Sequence, residues 1–184
     1  MRVTYNAPFV LTFTLIASLV MFLNQHVIPG ITEHFFALLP VMSYKDPLTY
    51  PRFVTYVFGH ANWNHLMSNL TFLLLLGPML EEKYGSNNLI IMALITALVT
   101  GFLNHFLFST GLIGASGIVF MMILLSSFTN VRAGYIPLTF LLVLVLFLSK
   151  EVMNAFVQNN ISEFSHIVGG ICGSVFGFWK RKTK

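Results

Sequence analysis

Between Tyr84 and Val131 the chain carries no Lys, Arg, Asp or Glu. A soluble domain has about a quarter of its residues charged, so a run of this kind belongs in hydrocarbon. The whole chain agrees: of its 184 residues 56% are hydrophobic and 9% charged, and the mean hydropathy is +0.79. In lipid every backbone N–H and C=O must be satisfied within the protein, and a helix does this within one segment of about 20 apolar residues. The expected class is therefore all-α, a polytopic membrane protein forming a single domain over residues 1–184.

Six stretches approach spanning length: Pro8 to Val27, Trp63 to Leu80, Leu89 to Phe108, Ser116 to Phe128, Ala133 to Ser149 and Glu163 to Trp179. The first follows Arg2 as a signal peptide would. No small-x-small cleavage site follows it, so it reads as a retained span. The fourth is short, and only the apolar loop before Ser116 extends it, which predicts a helix that begins within the membrane. The connection Pro29 to Asn62, rich in Phe, Tyr and Pro, suits the headgroup layer. Shorter connections are expected at Glu81 to Asn88, with Gly85-Ser86 as the turn, and at Lys150 to Ser162.

The net charge of +4 does not indicate nucleic acid, because its bases cluster at Lys180-Arg181-Lys182 and Lys184, directly after an apolar span. With the N-terminus inside, the inner segments hold these four together with Arg2, Lys83 and Arg132, while the outer ones hold Lys45, Arg52 and Lys150. That bias places both termini in the cytoplasm of a cell-membrane protein. Cys172 is the single cysteine, so no internal disulfide is possible.

In this topology spans two, four and six run from outside to inside, and their first turns share one depth. Polar residues sit at that depth on each: His65 and Asn69, Ser116, and His166. Such groups within spans usually face a bundle interior or a wet cavity. Gly169, Gly173 and Gly177 follow His166 at three, seven and eleven residues, on one helix face, and small residues so spaced let helices approach closely. A serine hydroxyl becomes a nucleophile when an adjacent base takes its proton, and neutral histidine suits that task. The first N–H groups of the fourth helix, with His65 and Asn69, could hold the resulting oxyanion.

Taken singly, these residues have plain readings. A lone membrane serine more often bonds its own helix or packs as a small residue. The glycine face is read as packing, and His26, His34 and His105 have no evident partner. Glu163 reads as a solvated first-turn acid, leaving a Ser-His dyad. No His is followed by Glu as a metalloprotease helix requires. Asp46 is the single aspartate, and His60 with His65 makes a poor zinc pair, so no metal and no cofactor are expected.

Gly114-x-Ser116-Gly117, His166-x-x-Gly169-x-x-x-Gly173 and His65-x-x-x-Asn69 together resemble the motifs of the rhomboid family of intramembrane serine proteases. Arg52 in the first loop, Glu81 and Gly85-Ser86 are similar marks, so the resemblance runs from about Arg52 to Phe178. It implies Ser116 as nucleophile, His166 as general base, and an oxyanion hole of His65, Asn69 and the Ser116 N–H. Asn104 would stand near the substrate where many bacterial members have Gln. Pro51 departs from a common Trp, and Phe120 replaces a common Tyr while keeping a ring for packing on His166. The chain would be the minimal six-span form, a bundle in the lipid bilayer. Its partners would be transmembrane protein substrates with small residues at the cut and unstable helices. They would enter past a movable fifth span, with the loop Lys150 to Ser162 as a cap. The alternatives are a non-catalytic rhomboid-like protein that binds membrane clients and a small transporter.

Overall fold

The computed structural model describes residues 3–108, 110–129, 135–155 and 163–180, without the side chains of 147, 148, 150–155 and 180. The helices among them are α1 (Pro8–His26), α2 (Ile31–Phe35), α3 (Thr49–Thr55), α4 (Trp63–Tyr84), α5 (Ser86–Leu107), α6 (Ser116–Ser126), α7 (Leu138–Ala155) and α8 (Glu163–Lys180), with a 3₁₀ turn at Tyr56–Phe58. By length and composition α1 and α5 are long and apolar enough to cross a bilayer, and α6 is a shorter apolar helix. Arg2, Arg132, Arg181, Lys182 and Lys184, which carry much of the expected orientation, lie outside the described residues.

Side chains such as Leu19, Leu75, Phe106 and Leu146 are exposed on the outside of the bundle. Hydrocarbon solvates such a surface at no cost. Association of these helices therefore depends on close packing rather than on apolar burial. Gly77 of α4 shows how: a β-carbon there would meet Val10 Cγ2 of α1 at 2.5 Å.

Glu81, 5% exposed near the C-terminal end of α4, explains where α1 begins. Its carboxylate accepts from the backbone N–H of Phe9 at 2.8 Å and of Val10 at 3.1 Å. Pro8 occupies the first turn of α1, where its missing N–H costs nothing. Ser86 donates to the same carboxylate at 2.6 Å.

The expected connection between the second and third spans shrinks to one residue. α4 runs on through Glu81-Glu82-Lys83-Tyr84, all compatible with helix, and α5 starts at Ser86. Gly85 reverses the chain alone, with φ at 80°, a conformation open to glycine. α7 likewise extends to Ala155, taking in Lys150 and Glu151, which the sequence suggested were loop. No Gly or Pro stops it there. The start of that expected span, Ala133 and Gly134, and the remainder of the expected cap, 156–162, fall outside the described residues.

α6 is enclosed. Ile118, Val119, Met121, Met122, Leu124 and Leu125 are all buried along its eleven residues. Its most extensive partner is α8, and α4 and α5 flank it. Lys83 of α4 reaches the end of this short helix, where its ammonium donates to the carbonyl of Phe128 at 2.5 Å and to that of Thr129. A cation at a helix C-terminus satisfies carbonyls that the helix leaves unpaired.

Candidate active site

Ser116 opens α6, and the preceding loop is held at its depth from two sides. Leu112 pairs with Leu38 of the segment between α2 and α3 through N–H···O bonds of 2.9 and 2.8 Å, an isolated two-residue bridge. The Gly114 N–H then donates to the Tyr56 carbonyl at 3.0 Å. Tyr56 is itself fixed, because its buried hydroxyl donates to the Ala97 carbonyl of α5 at 3.1 Å. Burial pushes its phenol up, so it stays a donor.

Gly114 has φ at 110°, which turns the chain into α6. It also leaves room for His65: a β-carbon on Gly114 would stand 2.6 Å from His65 Cε1 and 2.8 Å from Nε2. The imidazole of α4 thus lies against the backbone two residues before Ser116. The first intrahelical bond of α6 runs from the Val119 N–H to the Ala115 carbonyl at 2.9 Å. The N–H groups of Ser116, Gly117 and Ile118 precede it, at the positive end of the helix dipole.

His65 is placed by its own helix start. Asn62 caps α4, accepting from the His65 N–H at 2.9 Å. One turn on, Asn69 is 5% exposed, and one of its amide N–H groups donates to the His65 carbonyl at 3.0 Å. His60, 1% exposed, stacks edge-on against His65 with ring centroids 5.0 Å apart. Its Nδ1 lies 3.3 Å from the Phe58 carbonyl, and its enclosed Nε2 has no hydrogen-bond partner. Burial, reinforced by the neighbouring His65 and opposed by the Phe58 carbonyl, pushes His60 down to about 4.

α8 approaches from the other side, on glycines. A β-carbon on Gly169 would enter the carbonyl of Gly117, and one on Gly173 the carbonyl of Met121, so the two backbones touch at points one turn apart. Gly177 lies against the Phe128 ring in the same way. This close approach brings His166 onto Phe120, with ring centroids 4.2 Å apart. Phe120 is one helical turn after Ser116, so the imidazole packs on the face of α6 that carries the hydroxyl. His166 also lies within electrostatic reach of His65.

Ser165 has no counterpart in the sequence reading. Its Oγ stands 3.2 Å from Ser116 Oγ, and the residue is 2% exposed. The spacing carried a signal, since Ser165 precedes Gly169 by four residues and shares its face. An apolar helix offers many serines, however, and nothing local distinguishes this one.

The remaining candidates lie around this centre. Asn104 is 1% exposed, with one amide N–H donating to the Thr110 carbonyl at 2.8 Å and its oxygen enclosed without a partner. It closes the end of α5 onto the loop that leads to Ser116. Glu163 is half-buried, and its Oε1 is enclosed without a hydrogen-bond partner, which departs from the solvated acid expected there. The first turn of α8 enters beside that loop, as the 4.6 Å Phe108–Phe164 ring contact shows. His105, expected without a partner, meets the Tyr44 hydroxyl at 2.6 Å. Arg52, 5% exposed, donates through Nε and Nη2 to the His34 carbonyl at 2.9 and 2.6 Å. Its Nη1 reaches Asp46 at 3.0 Å, so one guanidinium gathers the segment between α1 and α4.

Residues 47–183 match the rhomboid domain family. Rhomboid-like protein 11, chloroplastic, of Arabidopsis thaliana is 28% identical over 158 residues, which cover 83% of this chain and 53% of that protein. Rhomboid protease GlpG of Haemophilus influenzae is 21% identical over 136 residues, 72% of this chain and 71% of the relative. The protein of that name from Serratia proteamaculans is 28% identical over 138 residues, 72% and 49% respectively. The chain thus spans about half the length of two of these three relatives. A rhomboid domain is an integral membrane bundle, which accounts for the apolar exterior and the polar groups gathered within. From residue 47 almost to its last lysine, this chain belongs to the rhomboid family.

Proposed function

We propose that this chain is an intramembrane serine endopeptidase that cuts other membrane proteins within or beside their transmembrane segments. The observation that carries the reading is the meeting at the start of α6, where Ser116 is bracketed by Ser165 and His166 of α8 and by His65 of α4 against Gly114. Membership of a family that includes serine proteases supports it.

In this reading the Ser116 hydroxyl attacks the carbonyl carbon of the scissile bond while His166 takes its proton. The carbonyl oxygen becomes an oxyanion, received by the Ser116 N–H and by His65 and Asn69. His166 then returns the proton to the departing amine, and water attacks the resulting ester to free Ser116. Phe120 packs against the imidazole, and Asn104 keeps the nucleophile loop seated. α6 starts within the membrane as the fourth of six spans, and both termini are cytoplasmic. Water and substrate meet at the outer half of the bundle, with α7 as the element that yields to an incoming helix.

The test is cleavage of a reporter transmembrane substrate by the purified chain in liposomes. Ser116→Ala and His166→Ala should abolish cleavage while the protein stays folded, and a fluorophosphonate should label the parent chain but not Ser116→Ala. Undiminished cleavage by Ser116→Ala would overturn the assignment. A folded parent chain that neither cleaves nor labels would instead make it a client-binding relative.

A further inference from the structure

Ser165 brings a buried hydroxyl to Ser116. Its side chain lies on the face of α8 that Gly169 and Gly173 press onto α6, it is 2% exposed, and the two oxygens are 3.2 Å apart. Ser165 reaches across to the side chain of another helix.

A hydroxyl has one hydrogen to donate and two lone pairs to accept with. If Ser116 is to be activated, its single hydrogen must point to His166. The contact with Ser165 then has one possible polarity, with the Ser165 hydrogen donated to Ser116 Oγ. Reversing it turns the Ser116 hydrogen toward Ser165 and away from the base. The orientation of a buried hydroxyl therefore decides which way the nucleophile points.

We propose that Ser165 is a positioning residue for Ser116, donating a hydrogen bond that leaves the Ser116 proton free for His166 and fixes the nucleophile's rotamer. Ser165 keeps its own proton throughout, and only the Ser116 proton moves. The inference rests on Ser116 being the nucleophile. It adds a hydroxyl from α8 to a site otherwise described by its histidine.

Three variants of the full chain in liposomes test it: Ser165→Ala, Ser165→Thr and Ser165→Val. The last two have the same shape and differ in the hydroxyl. The readouts are kcat and KM on a reporter transmembrane substrate, the rate of fluorophosphonate inactivation, and thermal unfolding. Removing one neutral hydrogen bond should lower kcat and the inactivation rate about three- to tenfold. That loss should occur in both the Ala and Val variants with KM and unfolding unchanged, while Thr retains most activity. Parental rates in Ser165→Ala would overturn the proposal, as would an equal fall in Thr and Val, which would mark a packing role. Should the branched pair not fold, Ala decides, since it adds no bulk. Ser116→Ala separates the two levels: cleavage surviving it removes the nucleophile itself, whereas its silence beside an unaffected Ser165→Ala removes only this inference.

Discussion

The α-carbon of Gly169 leaves no room for a side chain, because the carbonyl of Gly117 occupies the place where a β-carbon would be. α6 and α8 therefore touch backbone to backbone one residue past Ser116 and three past His166. Gly169→Ala must push the helices apart. Overpacking of this kind costs about 1–3 kcal/mol, and the displacement falls directly on the Ser116–Ser165 contact. The variant is expected to lose most cleavage and to unfold at lower denaturant, measured by reporter cleavage and by unfolding in mixed micelles.

Gly114 combines two constraints, a φ of 110° and the His65 ring against its α-carbon. Gly114→Ala is expected to strain the backbone by about 1–3 kcal/mol and to expel the imidazole. His65→Ala removes only the imidazole. If His65 supplies an oxyanion donor, its loss lowers kcat by about 10²–10³ while fluorophosphonate labelling of Ser116 falls less than peptide cleavage. Equal kcat in His65→Ala and the parent chain would leave the ring a purely structural group.

His60 gives the stability a pH dependence. Its folded value near 4 lies below the ordinary 6.5, so between those values the unfolded chain binds the extra proton. Stability is complete above about pH 6.5 and declines as pH falls toward 4, by an amount on the order of 3 kcal/mol. Unfolding curves from pH 7 to 4 should show this decline. His60→Phe should flatten it, and an equally steep slope in that variant would assign the effect to other groups.

Arg52 gathers two parts of the segment between α1 and α4, the His34 carbonyl and Asp46. Lysine cannot span both, since it lacks the planar fork. Arg52→Lys is expected to cost about 1.5–3 kcal/mol, as for hydrogen bonds to a charged group. Amide exchange at Leu38 and Leu112, whose mutual bridge carries the segment onto the nucleophile loop, should quicken before exchange in α5 does. Unchanged exchange at both leucines would separate Arg52 from that bridge.

What the sequence displayed was whatever has a period. Charge-free runs located the long helices, and glycines at three, seven and eleven residues from His166 marked the face on which α8 meets α6. Helix ends were less legible. Charged residues such as Glu81 and Lys83 continue α4 instead of ending it, and one glycine makes a turn where eight residues seemed available. Contacts between distant segments left no trace: a two-residue bridge such as Leu38–Leu112 has no alternation to detect. Ser165 stayed hidden because its meaning lies in a neighbour 49 residues earlier, not in its own surroundings.

Glu81 bears on the order in which the molecule can be assembled. The amides of Phe9 and Val10 find their acceptor 72 and 71 residues further along the chain, so α1 is made with its N-terminal end unfinished. It acquires its anchor only when the end of α4 has been synthesised, and Ser86 completes the same carboxylate five residues later. α1 is thus made well before it is secured, and the α4–α5 hairpin is the piece for which it waits.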